Sequence, residues 1–294
     1  GGLDAVIDNA KTLPGYLSMF QSYDVATGTA SPYRLLTICS TLAWGLGYFG
    51  MPHILLRFMA IEDEKKLTLS RRIAIVWVVI SMAVAVFIGV IGYSMSKVGA
   101  IDVLEGSNSE TIIVRIADLL SRHGVIFALL AGVILAGILA STMSTADSQL
   151  LAASSAVSSD MLNRNGKSGI IAARITLLLI AVFSVILARN PNSSVFQIVS
   201  FAWAGFGAAF GPVVLFALFW RRTNKYGALA GMLSGGVMIF VWKYLVRPLG
   251  GAWNIYELLP AFIVACVAIV VFSLATPAPD QSILDEFDRA ASGK

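Results

Sequence analysis

Hydroxyl side chains recur with helical spacing near the end of an apolar run that begins at Val125. They are Ser141, Ser144, Thr145 and Ser148, at positions i, i+3, i+4 and i+7, so on a helix their oxygens share one face. Because hydrocarbon offers such groups no hydrogen-bond partner, this face must meet protein, water or an ion. Neutral hydroxyls and a backbone carbonyl suit a small hard cation that is bound weakly enough to leave again. The segment therefore predicts an ion site on a membrane helix, as in an ion-coupled transporter.

A second segment carries helix-breaking residues inside another apolar run. These residues are Gly45, Gly47, Gly50 and Pro52. Each glycine weakens a helix by about 1 kcal/mol and a proline by about 3 kcal/mol, so protein or water must line the interrupted backbone. Secondary transporters bind substrates and ions at such broken helices, and Trp44 and Tyr48 would project from one side of this break. A proline kink packed closely by small glycines is the alternative interpretation.

Composition determines the class of protein. Apolar residues make up 57% of the chain, charged residues only 13%, and the mean hydropathy is +0.80. Soluble domains carry roughly twice that charge, so we expect an all-α, polytopic membrane protein in a lipid bilayer. Neither a nucleotide-binding loop nor a metal cluster nor a nucleophile–base pair is visible in the sequence, which argues against an enzyme and against ATP-driven transport.

The hydropathy pattern predicts seven membrane spans. They cover residues 34–61, 73–96, 125–157, 169–188, 195–220, 227–246 and 257–275. Between the second and third spans, an apolar stripe within residues 110–123 predicts a short surface helix. Residues 1–33 are expected to form an extracellular or periplasmic loop region. Residues 34–157 hold the broken helix, the second span and the hydroxyl-rich helix, residues 158–275 hold the remaining four spans, and residues 276–294 form a tail.

Basic residues are distributed unevenly between the two sides of the predicted bundle. One side carries Lys65, Lys66, Arg71, Arg72, Arg164, Lys167, Arg174, Arg221, Arg222 and Lys225. The other side carries Lys97, Arg115, Arg122, Arg189 and Arg247. This asymmetry places the first group and the tail in the cytoplasm, and it explains the net charge of +4 without a nucleic-acid partner. The tail is expected to be soluble and partly disordered.

Three long motifs, at residues 43–60, 143–151 and 199–215, resemble the sodium/solute symporter family and, within it, the carriers of proline. The resemblance implies a leucine-transporter-type fold of two inverted five-helix repeats with flanking helices. It also implies sodium-coupled import of L-proline across the inner (plasma) membrane. The chain begins with Gly-Gly-Leu rather than Met, so we expect it to be the C-terminal part of a longer protein, with the first repeat upstream.

The resemblance assigns roles to individual residues. The positions that match the sodium site are the side chains of Ser144 and Thr145 and the backbone carbonyl of Ser141. The positions that match the substrate pocket are Trp44, Tyr48 and Pro52. An aromatic wall suits the compact ring of proline, and the N-terminus of a half-helix favours its carboxylate.

Two positions depart from the pattern of the proline carriers. Asp147 stands where they have an uncharged residue, and Met51 replaces a polar one. Asp147, with Ser148, could form a second cation or coupling site, or it could lie in water near the cytoplasm, about 33 Å along the helix from Val125. Two other functions stay open, namely a symporter of the same family for another small organic solute and a transporter-like membrane domain of a sensor.

Overall fold

A computed structural model describes residues 2–24, 27–162, 166–189 and 194–292 of the chain. In chain order its helices are α1 (Leu3–Lys11), α2 (Leu35–Ala43), α3 (Pro52–Met59), α4 (Lys66–Lys97), α5 (Ile112–Ser121), α6 (Val125–Ser155), α7 (Gly166–Ala188), α8 (Val195–Phe219), α9 (Lys225–Val241), α10 (Leu258–Ala275) and α11 (Gln281–Ser292). Strands β1 (Gln21–Asp24) and β2 (Thr29–Pro32) form an antiparallel hairpin. Arg164, one of the predicted loop cations, lies outside the described residues.

Six helical segments in the described part of the chain are long and apolar enough to cross a membrane. They are Lys66–Lys97, Val125–Ser158, Ser168–Ala188, Val195–Phe219, Lys225–Leu249 and Leu258–Ala275. The predicted all-α, polytopic class is therefore confirmed. The first of the seven predicted spans is not a continuous helix, because it consists of shorter pieces.

Those pieces are α2, a 3₁₀ segment at Trp44–Gly50, and α3. Met51 stands between the last two with φ −84° and ψ 113°, an extended conformation. A residue that precedes a proline is disfavoured from the helical region, and Pro52 fits the first position of the new helix, where its missing N–H is not needed. The predicted break is thus confirmed, and Pro52 determines where the second half begins.

The chain forms two compact units. The first contains the residues up to Pro32 and those from Ala60 to Val195, which include α1, the hairpin and α4 to α7. In this unit α1 contacts the end of α4, where Asn9 Nδ2 donates to Ser94 Oγ at 2.8 Å. Residues 1–33, predicted to be a loop region, also contain α1 and the hairpin, which are too short to give a clear pattern in the sequence.

The predicted surface helix is confirmed as α5, which packs against α4 and α6 in the first unit. Its apolar stripe is half-buried. Ile112 of α5 lies so close to Gly92 of α4 that a Cβ atom on Gly92 would be 2.4 Å from the Ile112 side chain. The small residue on α4 therefore allows α5 to approach closely.

The second unit contains α2, α3 and α8 to α11. Its core consists of Ala204, Ala208, Ile239, Leu258, Ala261 and Phe262. Gly227, Gly231 and Gly235 follow each other at four-residue spacing along α9. A Cβ atom on Gly235 would lie 2.3 Å from the carbonyl oxygen of Ala208, so these glycines allow the close helix contacts typical of membrane bundles.

The end of the chain is ordered as helix α11, so the prediction of partial disorder is wrong for residues 281–292. Arg221 donates two hydrogen bonds to the carboxylate of Asp288, each 2.9 Å long. Arg222 donates to the carbonyl oxygens of Thr276 and Pro277. The turn between α8 and α9 therefore holds the segment that follows α10.

Candidate functional site

The predicted ion-site residues all lie on α6 in the first unit, and their side chains are exposed. Thr145 Oγ1 donates to the carbonyl oxygen of Ser141 at 3.2 Å, and Ser148 Oγ donates to that of Ser144 at 2.8 Å. Each hydroxyl thus lies over the preceding turn of the helix. Two of the three expected sodium ligands, Thr145 Oγ1 and the carbonyl of Ser141, are therefore direct neighbours.

The spacing of these two oxygens is compatible with a shared cation. Hard cations such as Ca²⁺ are bound at about 2.3–2.6 Å, and two adjacent ligands at that radius lie roughly 3.3–3.7 Å apart. The two oxygens, 3.2 Å apart, would need to separate by only about 0.1 Å to reach that range. The hydroxyl of Thr145 keeps lone pairs for an ion, and Ser144 Oγ makes no hydrogen bond to any residue that the structure describes. Three oxygens are fewer than such a cation takes, so other ligands are needed from water or from elsewhere in the full-length protein.

Asp147 lies on the same helix with its side chain exposed. Within the described ranges it has neither an ion pair nor a hydrogen bond from its side chain. On an ideal helix its direction differs by about 110° from the centre of the hydroxyl face. This angle separates Asp147 from the three expected sodium ligands and argues against one site that contains all of them.

The predicted substrate residues lie at the broken helix in the second unit, where Trp44 belongs to an aromatic cluster. Its ring stacks near Phe196, Trp203 and Tyr256 at centroid distances of 5.5, 5.6 and 5.9 Å. Tyr48 meets the same Trp203 edge to face at 4.7 Å. Trp44 and Tyr48 therefore lie on one side of the break, as their spacing predicts. Half of the Tyr48 side chain is exposed, and Pro52 is exposed as well.

The break is held against α8 by a hydrogen bond and by close backbone contact. Trp203 Nε1 donates to the carbonyl oxygen of Trp44 at 3.0 Å and so joins α8 to the start of the 3₁₀ segment. A Cβ atom on Gly50 would lie 2.3 Å from the carbonyl oxygen of Phe206, whereas one on Gly45 would meet open space. Close packing therefore explains Gly50, in agreement with the alternative interpretation of the segment. Substrate binding at the break stays a prediction.

A polar cluster that the sequence does not predict lies in the segment between α9 and α10. Glu257 is 2% exposed, and Arg247 Nη1 donates to its carboxylate at 2.7 Å. Arg247 Nε also donates to the side-chain oxygen of Asn254 at 3.0 Å. No local pattern in the sequence predicts that a glutamate at the start of an apolar helix is buried beside its partner.

Tyr256 connects this cluster to the broken helix and to α8. Its backbone N–H donates to Ser40 Oγ of α2 at 3.0 Å, and its hydroxyl donates to the carbonyl oxygen of Ser200 at 2.6 Å. Burial, and then the charge of Glu257, raise the pKa of the Tyr256 hydroxyl, which therefore remains a protonated donor. Ser40 and Tyr256 are 216 residues apart, so sequence reasoning has no signal that would pair them.

The family model of the sodium:solute symporter family matches residues 1–235. The chain belongs to this family. It is similar to the sodium/proline symporter of Haemophilus influenzae, with 43% identity over 91% of this chain and 53% of that protein. The sodium/proline symporter of Salmonella typhimurium is 39% identical over 87% of the chain and 51% of its own length. The high-affinity proline transporter PutP of Bacillus subtilis is 35% identical over 90% of the chain and 54% of its own length.

The chain spans about half the length of the curated relatives that it matches. No solved structure matches it significantly. Family membership confirms the resemblance that the three sequence motifs indicate.

Proposed function

We propose that the full-length protein is a sodium-coupled secondary symporter that imports L-proline. The observation that carries this proposal is the similarity, over 91% of the chain, to a protein named as a sodium/proline symporter. The exposed hydroxyl face on α6 and the aromatic residues at the broken helix supply groups of the kind that the two ligands need. The helices belong to a leucine-transporter-type inverted repeat, as the resemblance implies.

In this proposal the sodium ion binds to the carbonyl of Ser141 and to the hydroxyls of Ser144 and Thr145. These ligands are neutral, so the ion is held weakly enough to be released on the other side of the membrane. Sodium binding stabilises the conformation that binds proline, and proline binding strengthens sodium binding by the same factor. Coupling therefore needs no chemical step.

The substrate in this proposal lies against the exposed part of the broken helix, between Tyr48 and Pro52. The ring of Tyr48 offers an apolar surface for the pyrrolidine ring of proline. Trp203, whose ring contacts both Tyr48 and Trp44, supports it. The start of α3 is the positive end of the helix dipole, which favours a carboxylate. Another small organic solute remains the alternative substrate, and competition by unlabelled solutes during uptake separates the two.

The protein lies in the inner membrane with its C-terminus in the cytoplasm, because the loops with more basic residues face that side. Cysteines placed at Lys65 and at Arg115, one at a time, test this orientation with a membrane-impermeant thiol reagent in a background in which Cys39 and Cys266 are replaced by alanine. In right-side-out vesicles only the cysteine at Arg115 should react, and labelling of the one at Lys65 would reverse the orientation.

The decisive experiment measures uptake of radiolabelled proline into proteoliposomes that contain the full-length protein, with and without an inward sodium gradient. Thr145→Ala should raise the half-saturating sodium concentration by about tenfold or more, equivalent to the loss of roughly 1.4 kcal/mol of ion binding. Thr142→Ala is the matched control, because the Thr142 hydroxyl makes the same kind of hydrogen bond, to a carbonyl one turn back on the same helix, but Thr142 is not one of the proposed sodium ligands.

Sodium-driven uptake that is impaired by Thr145→Ala and not by Thr142→Ala supports both the function and the position of the ion. Absence of proline uptake in the wild-type protein would contradict the substrate assignment. Equal effects of the two substitutions would instead place the ion elsewhere.

A further inference from the structure

The aromatic cluster around Trp44 includes a residue from outside the break and outside α8. Phe196 and Trp203 belong to α8, which also supplies the backbone against which Gly50 packs. Tyr256 comes from the turn before α10, and its ring is nearly parallel to that of Trp44, with 16° between the planes. Trp44 is therefore packed by the segment before α10 as well as by α8.

Tyr256 is itself held at three points. Its N–H donates to Ser40 of α2, its hydroxyl donates to the backbone of Ser200 in α8, and its ring lies on Trp44. One side chain and its amide thus join the helix before the break, the break itself and the helix against which the break packs. Of these contacts, the N–H bond to Ser40 and the ring contact with Trp44 reach the broken helix directly, whereas the hydroxyl bond fixes Tyr256 to α8.

The turn that carries Tyr256 is tied to the rest of the unit on both sides. Glu257 follows it and pairs with Arg247, and Leu258 next to it is fully buried in the core. On the other side of Tyr256, the preceding residue Ile255 accepts a hydrogen bond at its carbonyl oxygen from Trp242 Nε1, at 3.2 Å. A tyrosine fixed in this way can limit the movement of the Trp44 ring that stacks on it.

We propose that Tyr256 is a positioning residue that holds the broken helix, through Trp44 and Ser40, in the arrangement that binds substrate. The part that concerns substrate rests on the proposed function, whereas the part that concerns the broken helix does not. A binding segment that is held in place before the ligand arrives loses less freedom on binding, so release of Trp44 should weaken substrate binding without stopping the transport cycle.

The test uses three variants of the full-length protein. Tyr256→Leu removes the ring contact and the hydroxyl bond, and Tyr256→Phe keeps the ring. Tyr244→Leu is the matched control, because Tyr244 belongs to the same unit and lies against Phe201 at 6.2 Å, with no ring contact to the described residues of the broken helix. Ser40→Ala, a smaller change at the other contact, keeps the test valid if Tyr256→Leu does not fold.

Two readouts separate positioning from general destabilisation. Hydrogen exchange of the backbone amides in residues 44–50 should become faster in Tyr256→Leu, to a smaller extent in Ser40→Ala, and not in Tyr244→Leu. In uptake assays, Tyr256→Leu should raise the KM for proline roughly three- to tenfold, the range expected for the loss of one aromatic pair, with little change in maximal rate. Tyr256→Phe should remain close to the wild-type KM.

Exchange in residues 44–50 that is unchanged in Tyr256→Leu, or raised equally in Tyr244→Leu, overturns the proposal. So does an unchanged KM when the wild-type protein transports proline. If the wild-type protein shows no sodium-driven uptake of proline, the proposed function fails, and the exchange data alone decide whether Tyr256 holds the broken helix.

Discussion

At the scale of single residues, the ion pair in the α9–α10 turn joins two side chains of very different exposure. The side chain of Arg247 is 40% exposed, whereas that of Glu257 is 2% exposed. An unpaired arginine at this position can still be hydrated, but an unpaired carboxylate would stay buried, and burial of an unpaired charge is the costly state. The two partners are therefore not equivalent, even though they share one interaction.

This difference predicts an asymmetry between two substitutions. Arg247→Met should destabilise the protein by about 3–5 kcal/mol, the usual cost of breaking a buried pair from one side. Glu257→Gln should cost only about 1 kcal/mol, because the amide oxygen still accepts from Arg247. Thermal unfolding midpoints of the purified protein in detergent measure both, and equal shifts for the two variants would contradict the argument.

The residues that the sequence could and could not predict differ in the range of their contacts. The hydroxyl face from Ser141 to Ser148 follows from a spacing of three and four residues, which only requires that the segment be a helix. The contacts of Tyr256 with Ser40 and Trp44 depend on how distant helices pack. Periodicity within one helix carries no information on that packing. The contact of Tyr256 with the broken helix therefore becomes visible only in the structure.

At the scale of elements, the 3₁₀ segment between α2 and α3 contains glycines with opposite surroundings. A Cβ atom on Gly50 would lie 2.3 Å from the carbonyl oxygen of Phe206 and 2.9 Å from the Cα atom of Gly207, and both are backbone atoms that cannot turn aside. A Cβ atom on Gly45 would have nothing within 4 Å. The sequence predicts that this segment breaks but does not predict which glycine touches α8.

We therefore expect Gly50→Ala to force the broken helix away from α8. The free energy of unfolding should fall by about 1–3 kcal/mol, as is usual when an added methyl group overpacks a tight contact. Gly45→Ala in the same segment should be neutral or slightly stabilising, because alanine restricts the unfolded chain. Thermal midpoints of the two variants in detergent test this directly. Similar losses from both would show that backbone freedom, and not packing, requires the glycines.

The boundaries of the elements show why sequence prediction was partly successful. Pro52 carries its own local signal, since it excludes the helical conformation at Met51 and starts α3. The long spans are equally clear from hydropathy. By contrast, α1 and the hairpin are short, and α1 is held by Ser94, a distant residue that no pattern in the sequence around Asn9 predicts as its partner.

At the scale of the whole molecule, the second unit ends in a helix that is attached to it by charge. Arg221 and Asp288 are both about half exposed and joined by two hydrogen bonds. The hydrogen bonds from Arg221 lower the pKa of the Asp288 carboxyl below its usual value. Leu284 and Phe287 on α11 are half-buried, so the ion pair acts together with a small apolar contact. Composition predicts a partly disordered tail because it does not show that Asp288 pairs with Arg221, a residue 67 positions earlier in the chain.

The pKa shift gives this attachment a defined dependence on pH. The pKa of Asp288 is lower in the folded protein than in the unfolded chain. The stabilisation of α11 by the Arg221–Asp288 pair is therefore fully present above the usual pKa of a carboxyl group, and it is lost as the pH falls through the lowered pKa. Asp288→Asn should therefore speed hydrogen exchange in residues 281–292 at neutral pH, by roughly two- to fivefold for an exposed pair, and should have little effect in acid. Glu286→Gln is the matched control, because it removes one negative charge from the same helix and its side chain has no partner among the residues that the structure describes. If both variants behave alike at neutral pH, the net charge of α11 and not its bond to Arg221 determines its order.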